Sequence, residues 1–190
     1  MIAIIDYGAG NVKSVKNALD YLGFDSLLTS DANEIMNAER VIFPGVGNFG
    51  DCMKSLDDRG LVDVIKKFID SGKPFLGICV GLQLLFEESE ESPGVKGLGI
   101  FRGKCVKFNQ GKVPQIGWNK INSKKFGEGY VYFVNSFYAI PDDEGVVDAR
   151  SDYFVDFVAA VEKDNVLATQ FHPEKSGDYG LSILKRWLQC

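Results

Sequence analysis

Two segments of the chain hold residue types that could do covalent chemistry together. The first is Gly77-Ile78-Cys79-Val80-Gly81. An apolar run, Phe75–Ile78, precedes the cysteine, and Leu82, Leu85 and Phe86 follow it at helical spacing. Strand, sharp turn and helix in that order form the elbow that lifts a nucleophile above a sheet edge, here with sulfur in place of a serine oxygen. Glycines permit the sharp turn. The helix start puts N–H groups and partial positive charge beneath the sulfur, which favours thiolate. The N–H of Val80 is placed to receive an oxyanion. The plainer use of these five residues is a buried cysteine at a glycine-rich strand end.

A thiolate nucleophile needs a proton donor for its leaving group. His172 is the only histidine of the chain, so imidazole chemistry must run through it and a histidine-rich metal site is excluded. It lies in Gln170-Phe171-His172-Pro173-Glu174, after a predicted strand. Residues two apart in extended backbone point to one side, so the Glu174 carboxylate can reach the imidazole, fix its tautomer and stabilise its charged form. Alone, a histidine beside proline serves more often in a turn or cap; next to the elbow, the catalytic use is favoured. A third segment, Pro44-Gly45-Val46-Gly47, closes the strand Val41–Phe43. Ligands of open α/β sheets bind at the carboxyl ends of strands, so this loop is expected to face Cys79. Gly45, Val46 and Gly47 would then supply a second oxyanion N–H through a peptide free to reorient. An ordinary strand–helix turn uses Pro-Gly equally well.

The elements that must position these residues are legible as alternation. Ile2–Tyr7, Ser26–Thr29, Val41–Phe43 and Phe75–Ile78 read as buried strands. Between them run amphipathic stretches: one capped by Asn11 after a Gly8-Ala9-Gly10 turn and ended by Gly23, a short one capped by Ser30 or Asp31, and Leu61–Ile69. Alternating strand and helix implies a parallel sheet covered by helices on both faces. The second half is richer in strands: Gly99–Phe108, Tyr130–Phe137, Val146–Arg150, Phe154–Glu162 and Leu167–Phe171, before a closing helix over Gly177–Leu188. The acidic run Glu87-Glu88-Ser89-Glu90-Glu91 reads first as a solvated helix end.

At 190 residues the chain is the size of one ordinary domain. A formal net charge of -5 with scattered lysines and arginines argues against nucleic-acid binding. No apolar run approaches a membrane span, and the N-terminus lacks the charged opening of a signal peptide. The four cysteines, at 52, 79, 105 and 190, lack zinc-ribbon spacing and suit a cytoplasmic setting with reduced thiols. Cys52, Cys105 and Cys190 read as spectators.

The elbow, the Gln-x-His-Pro-Glu segment and the Pro-Gly-x-Gly loop together resemble the class I (triad) glutamine amidotransferases. Further segments spread over the whole chain resemble, within that family, the glutaminase subunits of imidazole glycerol phosphate synthase. These are Asp6-Tyr7-Gly8-Ala9-Gly10-Asn11, Pro114-Gln115-Ile116-Gly117-Trp118-Asn119, Tyr132-Phe133-Val134 and His172-Pro173-Glu174-Lys175-Ser176. The resemblance implies an α/β fold in one domain over residues 1–190: a central, mostly parallel sheet flanked by helices, with an added antiparallel β region. It implies glutamine hydrolysis with Cys79 as nucleophile, His172 as proton donor and base, and Glu174 orienting His172. Gln83, Glu91 and backbone near Ser136 and Phe137 would hold the glutamine, which gives part of the acidic run a use. No cofactor or metal is implied. Ammonia would pass to a partner cyclase subunit with a (β/α)₈ barrel, in a heterodimer making imidazole glycerol phosphate and an aminoimidazole carboxamide ribonucleotide in histidine biosynthesis. Such a barrel needs about 250 residues of its own, more than this sequence holds, so it is expected to be a separate chain. Asn11, Trp118, Asn119 and Lys175 would lie at or near that interface; the plainer and less favoured use of Trp118 is as a core aromatic.

The chain departs from the family pattern at Asn135, where histidine usually follows Tyr-Phe-Val, and mildly at Gln115, where histidine is also common. Two other readings stay open. A paralogous subunit could feed ammonia to a different synthase, as in surface-sugar amidination. A regulatory scaffold could retain the fold, although intact Cys79, His172 and Glu174 argue against it.

Overall fold

The computed structural model describes residues 1–8 and 11–190. Ala9 and Gly10, the middle of the expected Gly8-Ala9-Gly10 turn, lie outside the described residues. The elements run β1 (Ile2–Ile5), α1 (Val12–Tyr21), β2 (Ser26–Thr29), α2 (Ala32–Asn37), β3 (Arg40–Gly45), α3 (Phe49–Asp58), α4 (Leu61–Asp70), β4 (Phe75–Cys79) and α5 (Val80–Leu84). Then follow β5 (Glu88–Ser89), β6 (Gly103–Lys107), β7 (Gln115–Ser123), β8 (Gly127–Asn135), β9 (Phe137–Pro141), β10 (Val147–Asp152), β11 (Asp156–Lys163), β12 (Val166–Thr169) and α6 (Gly177–Gln189). The turn Pro173–Lys175, between β12 and α6, is a single 3-10 turn.

One mixed sheet in the order β2-β1-β3-β4-β12-β11-β10-β7-β8 forms the frame. Its first five strands are parallel. Every residue of β1, β4 and β12 is buried, as expected of parallel strands covered on both faces. From β11 onward the main path is antiparallel, and β6 and β9 branch from it. The antiparallel region is therefore a continuation of the central sheet through the β12–β11 pair rather than a separate layer. The helices fall into two groups: α2, α3, α4 and α5 pack among themselves, while α1 and α6 both meet the Pro173–Lys175 turn. No helix of the described residues is long and apolar enough to cross a membrane.

Several local expectations shift. Asp31 caps α2 by accepting from Asn33 N and Glu34 N, so of the two candidates it is the cap. Asn11 stands at the start of α1 but makes no side-chain cap; its amide is used elsewhere. Helix α3 was not evident in the sequence reading, though Asn48 caps it and Phe49, Cys52, Met53 and Leu56 bury one stripe. Strand β7 (Gln115–Ser123) likewise has no counterpart among the strands expected from the sequence. Gly99–Phe108 contributes strand only from Gly103, and Tyr130–Phe137 divides into β8 and the start of β9. The acidic run follows the end of α5 and is solvated at Glu87, Glu88 and Glu90 as expected, but it also makes fixed bonds: Glu87 accepts from Gly103 N, Glu90 from Lys107 N and Glu91 from Phe49 N at 2.7 Å. These carboxylates tie its backbone surroundings together.

A second, aromatic core stiffens the part of the sheet that reaches the site. Phe133 meets Phe157 and Phe171 edge-on, with centroids 5.4 Å and 5.9 Å apart. Phe171, the residue before His172, is thereby packed against β8.

Candidate active site

Three neighbouring parallel strands end at the same level. The register pairs Gly45 of β3 with Cys79 of β4, and Thr169 of β12 with Ile78. The carboxyl ends of β3, β4 and β12 thus bring together the glycine loop, the cysteine, and the segment leading to His172.

Cys79 has φ 57° and ψ -111°, a conformation that a residue with a side chain rarely adopts. The left-handed residue of the elbow is therefore Cys79 itself, and the glycines serve a different purpose from the one expected. A Cβ on Gly81 would overlap the Phe43 carbonyl oxygen, and one on Gly77 would stand 3.1 Å from the Ala168 Cβ and the Leu85 Cδ1. They let β3 and β12 close against the elbow. Gly45 has the same role: its Cβ would stand 2.7 Å from the Tyr7 hydroxyl and 2.8 Å from Gly81 N. Only Gly47, at φ +108°, supplies turn freedom in this loop.

The His172 imidazole is held from both ends of its residue. The backbone N–H of His172 donates to Tyr132 O at 3.0 Å, and its backbone carbonyl accepts from Ser176 Oγ at 2.6 Å, while Ser176 Oγ also accepts from Tyr132 N. The side chain places Nδ1 2.8 Å from Glu174 Oε1. Glu174 reaches the ring because the backbone turns into the Pro173–Lys175 3-10 turn, not because it stays extended as the two-residue spacing suggested. With Nδ1 committed to Glu174, Nε2 is left for the contact that His172 makes with Cys79. Burial opposes charge on this imidazole, but hydrogen bonds to Cys79 and Glu174 outweigh it and raise His172 to about 10. Glu174 is tied by a second donor that the sequence did not suggest: Asn11 Nδ2 lies 2.5 Å from Glu174 Oε1.

A cavity of about 270 Å³ opens over the sulfur, lined among others by Val46, Gly47, Val80, Gln83, Glu91, Asn135, Ser136, Phe137, His172 and Lys175. The expected oxyanion and glutamine-holding residues therefore converge here, Gly45 lying just behind. The carbonyls of Ser136 and Phe137 are engaged within the protein, by Phe108 N and by the amides of Gln83 and Asn135. Cys52 is more than a spectator, since its thiol donates to Val46 O under the glycine loop. Cys105 is fully buried and burial pushes its thiol up; Cys190 is exposed.

The two departures from the family pattern turn out to be partners. Gln115 and Asn135 face each other across the β7–β8 ladder, both buried, and each keeps one amide oxygen without a partner among the described residues. Gln170, which precedes Phe171 and His172, is a further functional candidate. It is fully buried, with Nε2 3.8 Å from the Cys79 sulfur. Its contact crosses from β12 to β4, so no local spacing signals it.

Trp118 is not a core residue: it is 57% exposed and stands edge-on to Tyr132. With Ile116 and Val134, its exposed neighbours on β7 and β8, it forms an apolar strip beside the cavity. Lys175 is exposed at the cavity mouth. Asn119 sits beside Trp118, but its amide is committed to Asp152 O and Lys120 N. Asn11 is half-buried, with its amide on Glu174.

The chain matches the model of the family "Glutamine amidotransferase class-I" over residues 3–189. It is 48% identical to "Imidazole glycerol phosphate synthase subunit HisH" of Geobacter metallireducens, covering 98% of this chain and 96% of that protein. It is 44% identical to "Imidazole glycerol phosphate synthase hisHF, chloroplastic" of Arabidopsis thaliana, covering 99% of this chain but 34% of that longer protein. A solved structure described as a glutamine amidotransferase superposes with a TM-score of 0.83 at 22% identity, over 100% of this chain and 98% of that one, which bears on the fold alone. The chain belongs to the class-I glutamine amidotransferases and, within them, to the HisH family of imidazole glycerol phosphate synthase subunits.

Proposed function

We propose that the chain, acting as one amidotransferase domain over residues 1–190, hydrolyses glutamine to glutamate and ammonia and delivers the ammonia to a cyclase subunit in histidine biosynthesis. The observation that carries this reading is the juxtaposition of Cys79 and His172 at one cavity, with Glu174 bonded to the imidazole behind it. The Cys79 thiolate attacks the side-chain amide carbon of glutamine. The oxyanion is held by Val80 N–H and an N–H of the Gly45–Val46–Gly47 loop. Charged His172 gives its Nε2 proton to the departing nitrogen, and ammonia leaves a γ-glutamyl thioester. Neutral His172 then takes a proton from water, hydroxide adds to the thioester, and collapse returns thiolate and releases glutamate. Glu174, fixed by Asn11, orients the ring and balances its charge throughout. Gln83, Glu91 and the backbone at Ser136 and Phe137 hold the amino-acid end of the substrate.

The partner is a cyclase subunit with a (β/α)₈ barrel, docked as a heterodimer on the Ile116–Trp118–Val134 strip, with Asn11, Asn119 and Lys175 at the rim. The Arabidopsis relative supports the existence of a partner activity, since there the matched segment is one part of a longer polypeptide named hisHF. Four free thiols suit a cytoplasmic setting. Measuring glutamate release by the chain alone and with the cyclase tests the reading. Weak release alone and strong stimulation by the partner are expected, and Cys79→Ala should abolish both. Turnover that survives Cys79→Ala would rule out this mechanism.

A further inference from the structure

The sulfur of Cys79 has contacts that push it in opposite directions. Val134 O, 3.8 Å away, accepts from the thiol and therefore favours its neutral form. The His172 imidazole faces it as a hydrogen-bond partner. A further contact is the Gln170 side chain, fully buried and 3.8 Å from the sulfur through Nε2. A primary amide can present either its NH₂ or its oxygen to a neighbour, with opposite effects on a thiolate. Here the choice is fixed from the other end. Gln83 Nε2 donates to Gln170 Oε1 at 3.0 Å, and Gln83 is itself anchored by donation to Phe137 O at 3.1 Å. With its oxygen held by Gln83, Gln170 must turn N–H groups toward the sulfur.

We propose that Gln170 is a positioning residue for glutamine hydrolysis: its buried amide, oriented by Gln83, holds an N–H donor on the Cys79 sulfur and so stabilises the attacking thiolate. The bond to sulfur strengthens when the sulfur is charged, so its effect falls on the nucleophile and not on the resting thiol. Because Gln83 also lines the cavity, the same amide chain joins the substrate pocket to the nucleophile. The proposal rests on Cys79 being the nucleophile, and its test separates the two claims.

The test is the pH dependence of alkylation by iodoacetamide, with the modified residue identified by peptide mass, on the wild-type chain, Gln170→Met and Gln83→Met. Methionine keeps the volume of Gln170 and removes its donor. Cys190 is exposed and is alkylated as an ordinary surface thiol; a wild-type chain in which Cys79 stays unmodified across the pH range would overturn the nucleophile reading itself. With Cys79 as the modified residue, Gln170→Met should raise the midpoint by about one pH unit and slow alkylation at pH 7 about tenfold. Gln83→Met, which frees the Gln170 amide to flip, should shift the midpoint in the same direction by less. In glutamine turnover, Gln170→Met should lower kcat about tenfold while KM changes less than threefold. An unchanged midpoint and rate in Gln170→Met overturns the proposal. Should neither variant fold, the wild-type chain still decides: the side-chain amide proton resonances of Gln170 must move with the Cys79 midpoint, and their failure to move overturns it equally.

Discussion

Burial alone would strip the proton from His172, whose side chain is 2% exposed. The proton stays because two acceptors face the ring, and one of them, Glu174, is itself fully enclosed and held on Asn11. Glu174 Oε2 has no partner among the described residues, so the interactions of this carboxylate concentrate on the oxygen that meets the imidazole. A chain with one histidine makes this unusually easy to test, because imidazole nitrogen resonances report a single group. In the folded chain the ring should keep its proton through pH 8 and lose it near 10. Glu174→Gln should move that titration downward and lower kcat by about 10²–10⁴, the range of general acid–base catalysis. The sign for stability follows from linkage. The folded value lies above the ordinary 6.5, so the folded state binds this proton more tightly than the unfolded chain. That contribution is complete below pH 6.5 and fades as the pH rises toward 10, so wild type should lose more stability over this window than His172→Gln. A ring that titrates near 6.5 in the folded chain would sink the account.

At the scale of elements, the elbow works because three strands and a five-residue helix close without side chains between them. Gly81→Ala puts a methyl group against the Phe43 carbonyl, which is backbone of β3 and cannot swing aside. It should destabilise by roughly 2 kcal/mol or more, in the manner of overpacking, and should abolish activity by moving Cys79. Gly77→Ala meets the mobile end of Leu85 among its neighbours and should cost less. Denaturant midpoints and kcat of both variants check this; equal effects would show that the closeness of β3 does not matter. The same elements show what was legible in the sequence. The parallel strands were, because burial on both faces leaves unbroken apolar runs such as Ile2–Ile5 and Phe75–Ile78. Strand β7 was not. Over residues 115–119 the polar residues and glycine face in while Ile116 and Trp118 face out, which inverts the usual polar-out pattern; Lys120, Ile121 and Asn122 return to it. Cys79, His172 and Glu174 were legible because residue type and local spacing announce them. Asn11 and Gln170 were not, since their bonds to Glu174 and to Cys79 join positions 163 and 91 apart that only the sheet brings together.

At the scale of the whole molecule, the inverted pattern of β7 has a reason. Ile116, Trp118 and Val134 are 60%, 57% and 36% exposed, on the outward face of a β-ladder whose inner face packs on the aromatic core. Large apolar side chains gathered on one face beside a cavity mark a surface that another molecule covers. The strip adjoins the cavity through Val134, whose carbonyl also accepts from the Cys79 thiol. A partner seated there is in direct contact with the backbone that borders the nucleophile, which gives docking a physical route to the chemistry. Trp118 should then be a binding hot spot, since a large aromatic at the centre of such a strip commonly contributes about 2 kcal/mol or more. Trp118→Ala should raise the Kd for the cyclase about 30-fold or more by titration calorimetry and reduce stimulation of glutamate release at fixed partner concentration. The replacement should leave the fold unchanged, because the side chain lies outside both cores. An unaltered Kd with an intact fold would place the partner on a different face and would leave this apolar strip without an occupant.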